Sequence, residues 1–465
     1  MAESSRLLLA LLLPWLVGGL LVGWLAARLG RRRLGWPLVA GSGLLLGQVV
    51  VAGGLRLQNG LGGGIAFYPM VAWLLLLALA LGWALRRAAP ERLSPRWPAP
   101  PSGRGDTVVA LLLVAGILLH LLPSLVEILW RPLFPWDAWT TWGHRAKLWV
   151  SHGALLPLVA PSQWASGEGY TISAHTYPLL VSLLQSWIAL AWGAWSDTLI
   201  NLPWLLAAVA LLLLLYGHLR ELRCSRTCAL LPGYLLISQP LVHTHISLAG
   251  YADLWQAAFT GSGLVALLLG GQLRDRFWQG WGIALLLLGV AVKSEGMVWL
   301  LVALLLWGVL RLGRWGWLGL AGGLLLLAGG GYAELPLLLE LPLLGTLGLV
   351  GSELHLPLLG VQQLGYNPIW GPLLANLWQY ANWNLFWYLV VVALGVALYN
   401  WRTPFAKTGI IALLLPLAAV VAIFLLSDQG RWASDYTAIN RLFIHFMPLW
   451  VVVVTLLLSG WQVRR

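Results

Sequence analysis

Long apolar runs recur along the whole chain, separated by short segments rich in Arg, Gly or Pro. A run of about 20 apolar residues is long enough for an α-helix to cross the hydrocarbon core of a bilayer. The runs predict about 13 helical spans and therefore an all-α, polytopic helical membrane protein. The predicted spans are 5–29, 35–56, 66–85, 107–130, 197–218, 229–248, 252–270, 277–293, 297–311, 315–333, 376–399, 408–427 and 442–459.

Composition supports this class and excludes others. Of the 465 residues, 60% are hydrophobic and only 9% are charged. A water-exposed globule carries roughly 25% charged residues, so soluble and disordered classes are excluded. The net charge of +12 would suggest nucleic acid in a soluble chain. Here the basic residues cluster at span ends, where they orient the chain in the bilayer, so no nucleic-acid partner is predicted.

Basic residues also decide whether the apolar segment 177–195 crosses the membrane. It is short and contains Pro178 and Gly193. If it does not cross, the loops on one side hold most of the lysines and arginines, as expected of cytoplasmic loops. We therefore predict that 177–195 lies at the outer interface, with the N-terminus outside and the C-terminus inside. The inner clusters are then Arg28/Arg31–Arg33, Arg86–Arg104, Arg220–Arg226, Arg274/Arg276, Arg311/Arg314, Arg402/Lys407 and Arg464/Arg465.

The spans and loops predict four regions. The segment 334–375 is rich in Leu and Pro, but its apolar runs are too short to cross, so interfacial helices on the outer surface are predicted. The regions are a three-helix extension at 1–106, a membrane core at 107–333 with an outer loop at 131–196, the outer interfacial loop at 334–375, and C-terminal transmembrane helices at 376–465.

The first outer loop carries a candidate acid in an aromatic setting. Asp137 lies between Trp136 and Trp139, and a carboxylate held just outside the bilayer suits a general base for an incoming hydroxyl. Three basic side chains follow on a predicted short amphipathic helix, and their charges suit a lipid phosphate. They are His144, Arg145 and Lys147. Alternatively, Asp137 caps the helix 138–149 and the basic side chains touch lipid headgroups.

Further candidates lie at predicted outer ends of spans. Lys293 and Glu295 occupy a turn between apolar helices, where charges are costly unless they are functional or form a structural ion pair. Asp253 begins a span as a functional acid or as a cap. Arg441 enters the last span, where it either reaches a phosphate at headgroup depth or extends toward the interface.

Lysine usage adds an independent argument. Only three lysines occur, and two of them, Lys147 and Lys293, lie on the predicted outer face against the charge trend. The compact ammonium group suits a phosphate. No HExxH-like spacing occurs, so no zinc site is predicted, and no Walker or Rossmann glycine pattern suggests nucleotide chemistry.

In chain order these residues resemble the GT-C superfamily of membrane glycosyltransferases, in particular the branch of protein O-mannosyltransferases and lipid A aminoarabinose transferases. The resemblance covers roughly residues 124–312 and rests on short motifs in a common order. The matching elements are Asp137 in the first large outer loop, HTYPLL at His175–Leu180, Asp253 in GYAD and KSEG at Lys293–Gly296, with weaker support from Asn440–Arg441.

The sequence also departs from the family pattern. Three spans precede the core that carries the proposed catalytic loop, whereas the family usually begins with one. Ala138 follows Asp137, so the paired acids of some members are absent. HTYP lacks a second proline, which puts a phosphate-binding role near His175 in doubt.

The resemblance implies a GT-C-like catalytic core at 107–333 that transfers a sugar from a polyprenyl-phosphate donor, with inversion, on the outer face. The acceptor would be a lipid, a glycan or a protein. Asp137 would be the base, and Arg145, Lys147, Lys293 and Arg441 would bind the donor phosphate. His144, His175, Asp253 and Glu295 would support them. No cofactor is required, although a divalent metal between Asp137 and Asp253 is compatible with the reaction.

Two other functions stay open. A transporter or flippase of a lipid-linked or anionic substrate explains the spans, but it predicts charges at mid-membrane depth and, ideally, paired broken helices in two halves. A structural subunit without catalysis is the other. The charge asymmetry and the lipid carrier predict a prokaryotic cytoplasmic membrane, with the site facing the periplasm or exterior and membrane lipids as further partners.

Overall fold

A computed structural model describes residues 2–31, 34–88, 103–332, 337–342, 345–356 and 360–461. Of these described residues, 74% are helical, and eight of the described helices are long and apolar enough to cross a membrane. These features support the predicted class of helical membrane protein. The basic residues Arg32, Arg33, Arg92, Arg96, Arg464 and Arg465 lie outside the described residues.

The chain divides into two compact units. Unit 1 comprises Met1–Ser238 and Val242–Phe259, and unit 2 comprises Gln239–Leu241 and Thr260–Arg465. The division falls within two helices, Pro240–Ser247 and Asp253–Gln272.

Unit 1 is built mainly from helices that alternate in direction. Its longer helices are α1 (Ala2–Arg28), α2 (Trp36–Gly60), α3 (Phe67–Ala88), α4 (Arg104–Trp130), α8 (Leu202–Glu221) and α9 (Arg226–Ile237). The remaining helices are α5 (Gly143–His152), α6 (Pro161–Ala165), α7 (Leu180–Trp192), α10 (Pro240–Ser247) and the first residues of α11 (Asp253–Gln272).

The first three helices are part of this packed unit. α1 packs against α2, α3 and α7, and α2 packs against α7 and α8. Gly18 and Gly47 allow the backbones of α1 and α2 to approach closely, because a Cβ at either position would lie 2.0 Å from a backbone oxygen. Small residues serve this purpose in membrane helices. The region 1–106 is therefore integrated into unit 1, not added to it.

One end of unit 1 gathers segments that the charge pattern predicts inside. Arg31 forms an ion pair with Glu221 at 3.2 Å. The hydroxyl of Thr227 donates to the backbone carbonyl of Asp106 at 3.0 Å. These bonds join the α1–α2 turn to the end of α8, and the start of α4 to the start of α9.

The other end of unit 1 gathers segments predicted outside. The backbone N–H of Ile65, after the α2–α3 turn, donates to the carbonyl of Gly153 in the loop 131–196 at 2.7 Å. The guanidinium of Arg6 donates to the carbonyl of Trp192 at the end of α7, at 3.0 Å. The contacts thus separate the same two sets of segments as the charge pattern does.

The segment 177–195 contains α7, which has only 13 residues. A helix needs about 20 residues to cross the hydrocarbon core, so its length agrees with a segment that does not cross. Its surroundings differ from those of an interfacial helix, because nearly all of its residues are buried. The Trp187 indole donates to the carbonyl of Ala10 in α1 at 2.9 Å. The helix therefore lies inside unit 1.

Three predicted spans are broken. The span 229–248 is interrupted between α9 and α10. In the span 376–399 a π-helical turn (Ala375–Gln379) precedes a separate helix. The last span divides into two helices near His445.

Unit 2 contains helices and one small sheet. After the remainder of α11, its helices are α12 (Arg276–Gly289), α13 (Glu295–Leu312), α14 (Arg314–Tyr332), α15 (Trp370–Leu374), α16 (Phe386–Tyr399), α17 (Pro404–Leu426), α18 (Arg431–Ser434), α19 (Ile439–Ile444) and α20 (Met447–Leu458).

Contacts along the long helices of unit 2 define which ends lie together. The side-chain amide of Gln272, at the end of α11, donates to the Thr408 hydroxyl near the start of α17 at 3.1 Å. Gly409 in α17 packs against Leu457 at the end of α20. Arg274 lines the same recess as Arg311, at the end of α13. The starts of α13 and α20 are therefore at the opposite end.

The structure of the segment 334–375 differs from its prediction. In place of interfacial helices it forms a four-stranded antiparallel sheet in which each strand pairs with the next. The strands are β1 (Leu337–Leu341), β2 (Gly345–Val350), β3 (Glu353–Leu356) and β4 (Gly360–Gln363).

Glycines explain why this leucine-rich segment is a sheet. Gly345, Gly351 and Gly360 have positive φ angles and stand next to strand ends, where a left-handed backbone suits a tight turn. Gly348 lies so close to β1 that a Cβ there would lie within 2 Å of the Leu337 carbonyl oxygen. Beyond β4, the backbone N–H of Gly365 donates to the carbonyl of Leu426 at 3.1 Å. The sheet is thus attached at the end of α17.

Candidate functional site

The candidate acid Asp137 lies in the turn that precedes a π-helical segment, Ala138–Trp142, which continues directly into α5. Its side chain is partly exposed and makes no capping hydrogen bond to the helix start. The alternative role as a simple cap therefore finds no support. The rings of Trp136 and Trp139 are exposed and meet edge to face at 4.9 Å. The carboxylate is thus held beside an aromatic surface.

A second acid begins α11 in a neighbouring turn. Gly250 has φ of +116°, and a Cβ there would lie 2.6 Å from the Cβ of Ala138. The turn before Asp253 therefore packs directly against the residue after Asp137. The indole of Trp204 donates to the carbonyl of Tyr251 at 2.7 Å and holds this turn. Asp253 itself is buried, with 1% of its surface exposed.

Arg145 is a buried clamp for the HTYP segment. Its guanidinium donates to the backbone carbonyls of Tyr177 and Pro178, both at 2.9 Å, and of Ala174 and His175 at 3.1 and 3.3 Å. The side chain is fully buried, and burial lowers the pKa of Arg145 to about 10, so it stays charged near neutral pH.

This arrangement gives Arg145 a positioning role. Its two terminal nitrogens are directed at protein carbonyls, so Arg145 holds the segment 174–178, and its role as a phosphate ligand stays a prediction. His175 takes part through its backbone carbonyl, while its side chain is only partly buried.

His144 and Lys147 lie on the opposite, exposed face of α5. The ammonium of Lys147 is 5.9 Å from the ring centroid of Trp195, within the range of a cation–π contact. The Trp195 indole donates in turn to the Asp197 carboxylate at 2.6 Å. Lys147 is therefore a positioned cation that remains accessible.

In unit 2, Lys293 and Glu295 form an ion pair at 3.0 Å. Lys293 is buried, with 8% of its surface exposed. The turn that carries it is tight, because a Cβ at Gly296 would lie 2.5 Å from the carbonyl oxygen of Gly289. The structural ion pair foreseen as one alternative is thus present.

Arg441 lies at the start of the last helical segment. Its Nε donates to the backbone carbonyl of Thr437 at 2.7 Å. The hydroxyl of Thr437 donates to Asp435, which lowers the pKa of that carboxyl, and Arg441 lowers it further. This local network orders the segment before α19.

One hydrogen bond relates the two charged elements of unit 2. Trp299 Nε1 donates to His445 Nδ1 at 2.9 Å, and both side chains are fully buried. Each residue lies four positions after a candidate, Glu295 and Arg441 respectively, which is about 6 Å along a helix. The Lys293–Glu295 pair and Arg441 therefore lie at the same end of unit 2.

A polar cluster that was not predicted from the sequence links α4 to α10. Ser124 is hydrogen bonded to Ser247 at 3.0 Å and lies 3.4 Å from the ring of His243. The rings of His120 and His243 are 5.3 Å apart. The signal was the spacing of His120, Ser124 and Glu127 on one face of an otherwise apolar span.

Within the described part of the chain, no group of three or more His, Cys, Asp or Glu side chains is arranged to hold a metal ion. No protein-family model matches the chain, and neither curated proteins nor solved structures give a significant match. The resemblance to the GT-C superfamily therefore rests on the motifs alone.

Proposed function

We propose that the protein is an inverting glycosyltransferase that uses a polyprenyl-phosphate-linked sugar on the extracytoplasmic face of a membrane. Its transmembrane architecture would be GT-C-like, with about 13 crossings. The observation that carries the proposal is the contact of Gly250 with Ala138. It sets a partly exposed carboxylate, Asp137, beside the turn of a buried one, Asp253.

The surroundings of Asp137 suit a reaction at the membrane surface. Exposed Trp136 and Trp139 offer flat surfaces for a sugar ring or for the headgroup region. The accessible basic side chains of His144 and Lys147 follow within about three turns of helix. These groups lie at one end of unit 1, as expected for chemistry on a headgroup and not for conduction through the bilayer.

The reaction would be a single displacement. The acceptor hydroxyl oxygen forms a bond to the anomeric carbon while the bond from that carbon to the phosphate oxygen breaks, with inversion. Asp137 takes the hydroxyl proton, and the polyprenyl phosphate leaves with the electron pair. Fixed cations stabilise the charge that develops on the phosphate. Lys147 is proposed for this role, and Arg145 supports it by shaping 174–178. The same role is proposed for Lys293 and Arg441 from the resemblance alone.

The proposal requires no nucleotide and no cofactor. A divalent metal between Asp137 and Asp253 is compatible with the reaction but not required, because fixed cations can stabilise the departing phosphate. The partners would be the lipid-linked donor, a lipid, glycan or protein acceptor, and membrane lipids. The proposed location is the cytoplasmic membrane of a prokaryote, with the site facing outward.

The decisive experiment compares purified wild type with Asp137→Asn. Undecaprenyl phosphate carrying mannose, glucose or 4-aminoarabinose is the donor, and a saccharolipid, an oligosaccharide and a Ser/Thr-rich peptide are offered as acceptors. Release of undecaprenyl phosphate is measured by mass spectrometry. Loss of a general base slows turnover by about 100-fold or more, while donor binding should persist.

Glu168→Gln is the matched control, because Glu168 is an exposed acid in the same loop. It should turn over like wild type. Normal turnover by Asp137→Asn would remove Asp137 as the base. Failure of wild type to bind any of the three donors would reject the transferase proposal.

One observation favours the alternative of a transporter or flippase. His120 and His243 form their polar cluster inside predicted spans, and buried polar groups in a membrane often line a substrate path. In proteoliposomes, a transporter would move a fluorescent lipid-linked sugar across the bilayer, and His243→Ala would slow it. Equal distribution rates with and without protein would exclude this function.

A further inference from the structure

A basic recess lies at one end of unit 2, away from the Lys293–Glu295 pair. It is formed by the turn between α11 and α12 together with the last turn of α13. Its volume is about 440 Å³. The residues that line it are Arg274, Arg276, Gln279, Trp307 and Arg311.

The positive charge of this recess is not neutralised. All three arginines are exposed, and among the described residues none of them forms an ion pair. The acid in the same turn, Asp275, is used as a helix cap, because its carboxylate accepts the backbone N–H groups of Phe277 and Trp278 at 2.9 and 3.4 Å. Three converging guanidinium groups therefore remain for an anion.

An apolar recess continues from the basic one and shares Gln279, Trp307 and Arg311 with it. Its volume is about 130 Å³. The rest of its lining comes from α11 and α13 and, besides Gly271 and Gln272, consists of five leucine side chains. They are Leu264, Leu267, Leu268, Leu306 and Leu310. A ligand that fills both parts must be anionic at one end and apolar at the other.

We infer that this double recess binds an anionic phospholipid. The phosphate lies among the guanidinium groups, which match its geometry better than ammonium groups do. Trp307, with 36% of its surface exposed, lies at headgroup level, where indoles are preferred. The start of an acyl chain follows the leucines. A soluble phosphate would satisfy the arginines only, so the leucine-lined part favours a lipid.

This site is distinct from the proposed transfer reaction. Arg311 ends α13, whereas Glu295 begins it, so the two sites are separated by the length of an 18-residue helix, about 27 Å. The recess also coincides with two clusters predicted inside, Arg274/Arg276 and Arg311/Arg314. The lipid would accordingly come from the cytoplasmic leaflet, where anionic headgroups are expected.

The test is native mass spectrometry of the full chain released from detergent. Phosphatidylglycerol and phosphatidylcholine with identical acyl chains are compared for wild type, Arg311→Gln and the pair Arg276→Gln with Arg311→Gln. Wild type should retain phosphatidylglycerol selectively. Each charge removed should weaken retention about fivefold. Arg314→Gln is the matched control, since Arg314 is exposed nearby but does not line the recess, and it should bind like wild type.

Two further variants distinguish a phospholipid from a soluble phosphate, and a lost binding site from a misfolded protein. Leu310→Trp, which fills the apolar part, should reduce phosphatidylglycerol retention but leave binding of glycerol 3-phosphate unchanged. Arg311→Lys should keep partial binding, and thermal melting verifies that each variant is folded. Equal retention of both lipids, an equal loss in Arg314→Gln, or binding of glycerol 3-phosphate as tight as that of the lipid would overturn the inference.

Discussion

Trp299 donates a hydrogen bond to His445 within the interior of unit 2, and neither side chain is exposed to solvent. The bond ties the first turns of α13 to the kink between α19 and α20. The Trp299 ring also meets Phe446 edge to face at 4.8 Å. These contacts therefore connect the helix that begins at the Lys293–Glu295 turn to the segment that carries Arg441.

Trp299→Phe should lower the free energy of unfolding by about 1–3 kcal/mol, because a buried acceptor on His445 loses its donor. A double-mutant cycle with His445→Phe isolates the pair, and we expect a coupling of about 1 kcal/mol. Thermal melting in detergent measures both. Additive effects of the two substitutions would show that the hydrogen bond contributes nothing.

Gly250→Ala should disturb the proposed active site, although Gly250 lies in the neighbouring turn and not beside Asp137 in the sequence. Alanine at a positive φ is strained, and its Cβ would collide with Ala138, so a cost of about 1–3 kcal/mol is expected. Turnover should fall with it, because the Asp137 turn is displaced. Gly53→Ala is the control, since no atom lies near that position. A loss of the same size at Gly53 would contradict the steric argument.

Arg145→Lys should loosen the 174–178 segment although the charge is conserved. One ammonium group cannot replace a planar fork that donates to four carbonyls. Hydrogen exchange of the backbone amides in 174–180 should become at least about tenfold faster, which is the effect of roughly 1.4 kcal/mol. Lys147→Arg, on the exposed face of α5, should leave exchange unchanged. Unaltered protection of these amides in Arg145→Lys would show that the guanidinium group is not needed to hold the segment 174–178.

The Lys293–Glu295 pair should be more sensitive to the loss of one partner than of both. Lys293→Met leaves a partly buried carboxylate and should lower the free energy of unfolding by about 1–3 kcal/mol. Adding Glu295→Met should restore much of that stability, since two apolar side chains suit the flanking helices. Thermal melting of wild type and of these two variants measures both effects. A double variant that melts below Lys293→Met would show a net stabilising ion pair.

Acid should loosen the segment before α19. The Thr437 hydroxyl depresses the pKa of Asp435 below its ordinary value of 3.8. A carboxyl with a lowered folded pKa stabilises the fold above its unfolded pKa, and that contribution disappears as the pH falls through the folded value. Amide exchange in 435–441, corrected for intrinsic rates, should therefore rise below about pH 4. Thr437→Val should remove this step, whereas Thr403→Val should not.

The membrane helices could be predicted from the sequence because apolar runs of sufficient length have few alternatives in a bilayer. Eight long helices were found within the predicted spans, and the grouping of their ends follows the basic clusters. The sheet at 337–363 was not predicted, because the high leucine content favoured helices and the glycines at turn positions were not taken as strand boundaries. The signal was present in Gly345, Gly351 and Gly360, spaced at intervals typical of short strands.

The site could be predicted only in part. Asp137 and Lys293 stand out in an apolar chain because charges there are costly. The clamp by Arg145 could not be predicted, because its acceptors are backbone carbonyls about 30 residues later in irregular structure. No side-chain pattern marks such acceptors. The same holds for the contact between Gly250 and Ala138, which depends on tertiary packing.

The strand order of the small sheet has a consequence for biogenesis. Each strand pairs only with its sequence neighbour, so its contact order is low and no long loop must close before it forms. The sheet directly follows α14, and its strands are complete before α16, α17 and α20 are synthesised. We therefore expect it to fold cotranslationally as soon as its own residues emerge, offering a preformed docking surface when the end of α17 arrives.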